Sequence, residues 1–238
     1  MTGITVVLLV LFVSLGRWQW GRAEFKQQLA SEFTRNAERV IAFDARAATV
    51  LPRYARVEVA GTWDESRQFL LDNRTRDGRA GYEVLTPLRL AEGRWLLVNR
   101  GWVPFTGYRE QLPDVSIEGA SRDDAAPREV RLRGLMDDLP SAGLSGGRAA
   151  PALEGRWPRV TAFPQQRELA AALGVDSTRL ESRVLLLDEA EPAGYVRGWL
   201  PFARGPEQNW SYAIQWWSFA VLLLVLYVVL NLRKRDAE

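Results

Sequence analysis

Two long apolar runs frame the chain, and the hydrophobic positions between them fall into shorter, alternating groups. From Tyr212 to Leu230 only Gln215 and Ser218 interrupt the apolar run, and the next charge is Arg233. At ~1.5 Å rise per residue this run covers about 28 Å, close to the hydrocarbon thickness of a bilayer. Core helices are rarely apolar on every face. Trp210, Trp216 and Trp217 at one end and Arg233-Lys234-Arg235 at the other complete the pattern of a transmembrane helix. The N-terminus mirrors it: Ile4 to Leu15 is apolar apart from Thr5 and Ser14, and Trp18 and Trp20 follow. A cleaved signal peptide would bring a basic n-region and a small-residue cleavage site. Neither is present, so the pattern predicts a second, uncleaved span.

The helical period continues beyond the first span. Trp18, Phe25, Leu29 and Phe33 share one stripe, predicting a helix that runs out to about Arg39. Arg22 sits inside that stripe. Two readings stand: a guanidinium snorkelling to the headgroups, or one held on an apolar face to pair with a carboxylate of a partner or ligand. Asn209, Tyr212 and Trp216 form a comparable stripe at the same end of the second span. The two stripes are expected to face each other across a shallow aromatic cleft.

Between the spans the period changes to two. Arg53 to Gly61 alternates, and Gln68 to Asp72 is a second short run. The runs Gly81 to Leu90 and Arg94 to Asn99 flank Ala91-Glu92-Gly93, which reads as a hairpin turn. Pro87 within its run predicts an edge position or a bulge. Further strands are expected at Glu129–Leu135, Arg183–Leu187 and Tyr195–Pro201, with a short helix from Pro164 to Leu173. Pro113 to Pro127 and Ser141 to Pro151 read as loops. The expectation is an α+β domain, an antiparallel β sandwich or small barrel with one or two helices, flanked by two transmembrane helices. The expected boundaries are 1–20 for the first span, 21–40 for the emerging helix, 41–208 for the mainly β domain, 209–232 for the second span and 233–238 for the tail.

Charge sets the orientation. The Arg233-Lys234-Arg235 cluster predicts a cytoplasmic tail, and with it a middle domain that is periplasmic or its equivalent. Arg17, Arg22 and Lys26 argue the other way, but long loops translocate largely regardless of charge, so the short tail decides. The 238 residues carry 31 basic against 29 acidic side chains with no polybasic block, which speaks against a nucleic-acid partner.

Composition excludes whole classes of chemistry. The chain has no histidine and no cysteine, so no Ser-His-Asp or Cys-His triad, no His/Cys zinc site and no His- or Cys-ligated haem iron can come from it. The adjacent acidic pairs Asp64-Glu65, Asp123-Asp124 and Asp137-Asp138 read as solvated loop charge, since neighbours on a strand point to opposite faces. Gly143 to Gly147 lacks the strand–turn–helix context of a phosphate loop. Met136 in a strand-like run reads as core. No catalytic residue and no metal ligand is assigned.

Three stretches in order along the chain resemble the Surfeit locus 1 (SURF1) family. They are Gly16-Arg17-Trp18-Gln19-Trp20-Gly21-Arg22, the pair Gly81-Tyr82-Glu83-Val84-Leu85-Thr86-Pro87-Leu88 and Asn99-Arg100-Gly101-Trp102-Val103-Pro104, and Tyr212-Ala213-Ile214-Gln215-Trp216. The resemblance implies a non-enzymatic assembly factor for cytochrome c oxidase or a related haem–copper oxidase. Subunit I and other oxidase assembly factors are the partners it implies, with membrane lipid around the spans. Some bacterial members are thought to hold haem a and pass it on. It also implies that Gly81, Thr86, Pro87, Asn99, Arg100, Gly101, Trp102 and Pro104 form a structural signature. Trp18, Arg22, Phe25, Asn209, Tyr212 and Trp216 are the expected contacts for haem a or a partner. One departure matters: the family often carries a histidine, considered a haem ligand, where this chain has Asn209. Any haem a is therefore expected to bind transiently, by ring stacking and propionate pairing, or with an axial ligand from a partner. The other reading is a membrane-anchored cell-envelope scaffold without a cofactor role.

Overall fold

A computed structural model describes residues 2–45, 50–117, 129–141, 147–202 and 205–235, the last three as backbone only. The Asp123-Asp124 pair, most of the Gly143–Gly147 stretch and the side chains of Arg233-Lys234-Arg235 lie outside the described residues. The chain divides into two compact units. One runs from Arg35 to Trp199, and the other joins residues 1–34 with 200–238.

The first unit is a small closed β-barrel. Its staves are β2 (Arg56–Trp63), β4 (Arg79–Arg89), β5 (Trp95–Pro104), β6 (Glu129–Asp138) and β8 (Leu180–Leu187). They follow the order β2-β6-β8-β5-β4, and the ring closes where Thr62 and Trp63 of β2 pair with Arg89 and Leu88 of β4. Of the two expected architectures, the barrel is the one formed. All its pairings are antiparallel except β5 with β8, which run parallel. Three short or peripheral strands extend the sheet. β3 (Phe69–Arg76) continues outward from β4, β7 (Arg159–Thr161) lies parallel to β3, and β1 (Val40–Ala42) lies parallel to β2.

The alternation read from the sequence is the alternation of burial. In β2, Val57 and Val59 point inward and meet Leu88, Leu96, Val98, Leu132, Leu185 and Leu187 from the other staves. Met136 is fully buried among them, a core residue as its context predicts. Each large aliphatic side chain so buried contributes about 1.5–3 kcal/mol. Helix α2 (Gln166–Leu173) packs Leu169 and Leu173 inward. Its first turn is braced by the Glu168 carboxylate, which accepts from the Gln165 N–H at 2.9 Å. The bonds from Arg148 hold that carboxyl below its ordinary range, with the Gln165 contact adding to the effect.

Pro87 sits where β4 changes neighbours. Pairing with β3 ends at Leu85, pairing with β2 begins at Leu88, and the Pro87 carbonyl accepts from the Asp64 N–H at 2.9 Å. A residue without an N–H is tolerated there because the ladder is already interrupted. Ala91-Glu92-Gly93 forms the expected connection, with Glu92 and Gly93 both at positive φ.

The segment 195–201 differs from expectation. It is no strand: it touches β5 through a single bridge between Val196 and Trp102. Gly198 at φ 149° turns it off the sheet, and arginines hold it instead. The Arg197 guanidinium donates to the carbonyls of Asp188, Glu189 and Glu191, while Arg76 donates to the Arg197 carbonyl at 2.7 Å.

The second unit is a pair of long helices, most of α1 (Thr2–Ala37) with α3 (Pro206–Arg235). Both are long and apolar enough to cross a membrane. They run antiparallel, since Thr2 bonds Tyr227 near one end and Gln19 bonds Asn209 near the other. The seam is built on small residues: Gly16 and Ala23 of α1, and Ala213 and Ala220 of α3, are among the buried positions of the pair. A Cβ on Gly16 would lie 2.2 Å from the Trp217 indole nitrogen, so only glycine allows this approach.

Candidate functional site

The signature hexapeptide lies in the barrel wall, and its geometry differs from the tight turn at a strand end that its glycine suggests. Strand β5 runs on through Pro104. Glu83 faces Trp102 and Leu85 faces Asn99, so Arg100 and Gly101 together stand opposite one residue of β4. This is a β-bulge in mid-strand. Gly101 makes it possible with φ 109°. Asn99 braces it from both sides: its Oδ1 accepts the Gly101 N–H at 3.1 Å, and its Nδ2 donates to Glu83 at 2.8 Å.

The bulge turns Arg100 inward until only 2% of it is exposed. Its Nε donates to the Ala193 carbonyl at 2.6 Å, and Nη1 donates to the Val115 carbonyl at 2.9 Å and to Gln68 Oε1 at 3.1 Å. Thr86 also donates to Gln68 Oε1, at 2.6 Å. The Tyr195 ring lies 4.7 Å from the guanidinium carbon. No carboxylate among the described residues forms an ion pair with Arg100. Burial pulls its pKa below the ordinary guanidinium value, while Tyr195 opposes that pull.

The remaining signature residues close around the same spot. Trp102 donates through its indole N–H to the Arg74 carbonyl at 3.1 Å. Its ring covers Gly81, where a Cβ would lie 2.4 Å from Trp102 Cε2. Pro104 ends the strand opposite Gly81. Gln68 and Tyr195, which hold the arginine, carry no signal in the sequence beyond their place in apolar runs.

The acidic pairs take up ordinary ion pairs. Asp64 meets Arg67 at 2.6 Å, Asp137 meets Arg53 at 2.5 Å, and Asp138 meets Arg183 at 3.3 Å.

At the helix pair, the six expected contact residues do not form one cleft. The face of α1 turned to α3 carries Phe12, Gly16, Gln19 and Ala23. Phe12 stacks on Trp216 at 5.7 Å, and Trp20, at the edge of that face, meets Trp217 at 5.6 Å. Trp18 and Phe25 are 59% and 60% exposed, and Arg22 is exposed beside them. Their stripe lies one position earlier along the helix, which rotates it by about 100° away from α3. Small residues win the seam because they let the backbones approach, which Trp, Arg and Phe would prevent. On α3, Trp216 and Asn209 turn toward α1, while Tyr212 is 44% exposed.

Asn209 is an inter-helix residue. Its Nδ2 donates to Gln19 Oε1 at 2.7 Å, and its buried Oδ1 has no partner among the described residues. An amide oxygen is not one of the donors by which proteins hold haem iron. The position does not fit the role of an axial ligand.

The SURF1 family model matches residues 6–221, which takes in the barrel, nearly all of α1 and the first half of α3. The chain belongs to the SURF1 family. A SURF1-like protein of Dictyostelium discoideum is 31% identical over 104 residues, a match covering 39% of this chain and 38% of that protein's length. In this SURF1-family chain the bulge at Arg100-Gly101 lies within the matched region, and so does the Gln19–Asn209 bond.

Proposed function

We propose that this protein is a membrane-anchored assembly factor for cytochrome c oxidase or a related haem–copper oxidase, and that it assists haem a insertion into subunit I. Family membership across residues 6–221 carries the reading. It acts without catalytic residues, as a surface that subunit I and other assembly factors dock on. The spans lie in the inner membrane with the barrel on the periplasmic side. Reporter fusions joined near Leu139 are expected to be active only outside the cytoplasm, and a cytoplasmic signal would overturn the orientation.

The outward stripe of α1 supports a docking role. Trp18, Arg22 and Phe25 are exposed and face away from α3, which supports contact with lipid or a neighbouring membrane subunit. With Asn209 engaged by Gln19, haem a would draw its axial ligand from subunit I, and this chain would contribute ring faces and a guanidinium for the carboxylates. Purified Arg22→Ala is expected to keep wild-type abundance while retaining less subunit I and less haem a per mole. Arg22→Lys should restore only part, since an ammonium does not reproduce the planar fork. If Arg22→Ala retains both partners at wild-type levels, the stripe is a membrane anchor only. A wild-type protein that brings down neither would favour the scaffold reading.

A further inference from the structure

Beside the buried guanidinium the barrel opens into a cleft of about 520 Å³. Trp63, Ile117, Val130 and Leu132 supply apolar wall, and Arg131 stands exposed at the rim. Arg100 reaches the cleft from within, and its donors are unevenly used. Nε and Nη1 are committed to carbonyls and to Gln68, while the hydrogen bond from Nη2 to the Ser116 carbonyl is long, 3.5 Å, and the Tyr195 side chain lies against the same guanidinium. A guanidinium offers five N–H donors, two of them on Nη2. The cation is thus buried at the wall of the cleft, with no ion pair among the described residues and only Tyr195 and the more distant Glu65 favouring its charge. Among the described lining residues the one carboxylate is engaged elsewhere: Glu191 Oε1 accepts the Arg133 N–H at 3.0 Å.

We propose that this cleft is a binding site for a small organic monocarboxylate with an apolar body, its carboxylate meeting Arg100 Nη2 and its body lying against Trp63, Ile117, Val130 and Leu132. The volume suits a small molecule, being at the lower-middle of the range for ligand pockets, roughly 300–1,000 Å³. An anion there would supply the direct ion pair that Arg100 does not make among the described residues, in surroundings where a charge-assisted bond is at its strongest. Arg131 at the rim draws the anion in. The site is independent of the oxidase role and stands or falls without it.

Removing Arg100 costs folding, so the charge is tested from the ligand side. Full-length protein in lipid nanodiscs is dialysed against 4-phenylbutyrate or its neutral isostere 4-phenylbutyramide, with empty discs as blank. The acid is expected to bind above the blank, with the amide at least about tenfold weaker, since the difference is one charge-assisted bond. Val130→Trp, which fills the cleft from a half-exposed barrel position, should abolish acid binding while the protein stays folded. Equal binding of acid and amide overturns the proposal. So does acid binding no higher than the blank, and so does acid binding unchanged in Val130→Trp.

Discussion

Replacing Arg100 by leucine should destabilise the barrel by about 1–3 kcal/mol, the range for a buried acceptor left without its donor. Swapping a whole buried ion pair for apolar residues is often harmless, but that compensation does not apply here. One acceptor is stranded: the Ala193 carbonyl loses the donor it has among the described residues, while the Val115 carbonyl keeps Gln68 Nε2 and Gln68 Oε1 keeps Thr86. Each buried acceptor left unpaired costs about 1–3 kcal/mol. Against a total stability of roughly 5–15 kcal/mol, abundance should fall several-fold. Arg100→Lys should recover only a fraction, because one ammonium cannot reach three separate acceptors in a plane. Thermal melts of the purified variants and their steady-state levels provide the measurement. Arg53→Leu is the control: its bond to Asp137 is half exposed, so its loss should stay within about 1 kcal/mol. An Arg100→Leu barrel that melts like the Arg53→Leu control would show that the network carries no stability.

Gly101→Ala should cost about 2–4 kcal/mol, because two penalties coincide. The residue sits at φ 109°, a backbone region L side chains rarely adopt. Its new Cβ would also lie 2.7 Å from Arg197 Cγ and 2.8 Å from the Val196 carbonyl oxygen. Gly107 separates the two effects. It has φ 97°, but a Cβ there would meet nothing within 4 Å, so Gly107→Ala bears the strain alone. Gly81→Ala bears the clash alone, with the Val103 carbonyl oxygen 2.3 Å away. Abundance and oxidase activity are expected to fall together for Gly101→Ala and Gly81→Ala. Normal abundance with lost oxidase activity would move this segment from the structural frame to the functional surface.

What the sequence reveals of the barrel follows from how each element is stabilised. β2 is legible because period-two burial repeats along it, and the long staves β4 and β5 because their apolar runs are buried on both faces and flank a turn. β1 and β7 are three residues each, too short for any period to register. Tyr195–Pro201 has the aromatic and apolar content of a strand but is held by guanidinium-to-carbonyl bonds, which leave no periodic trace. The bulge is half legible. Gly101 signals a special backbone position, but the register slip needs β4 as a partner and belongs to no local window. At the helix pair the conspicuous residues mislead. Trp18, Arg22 and Phe25 are large and chemically rich, while the packing face is marked by the quieter Gly16 and Ala23 seven positions apart.

The parallel pairing of β8 with β5 bears on the order in which the chain can assemble as it is synthesised. Without β8, the other staves form an open sheet in the order β6-β2-β4-β5, with unpaired edges on β6 and β5. Those edges are the templates that recruit strands from other chains. β8 alone fills both, and it is the last stave to leave the ribosome. A chain that has reached only Thr178 therefore carries two sticky seams, and a chain that has reached Leu187 can seal both in one event. Substitutions in β8 should accordingly weigh more heavily on the yield of folded protein than on the melting point of the molecules that succeed.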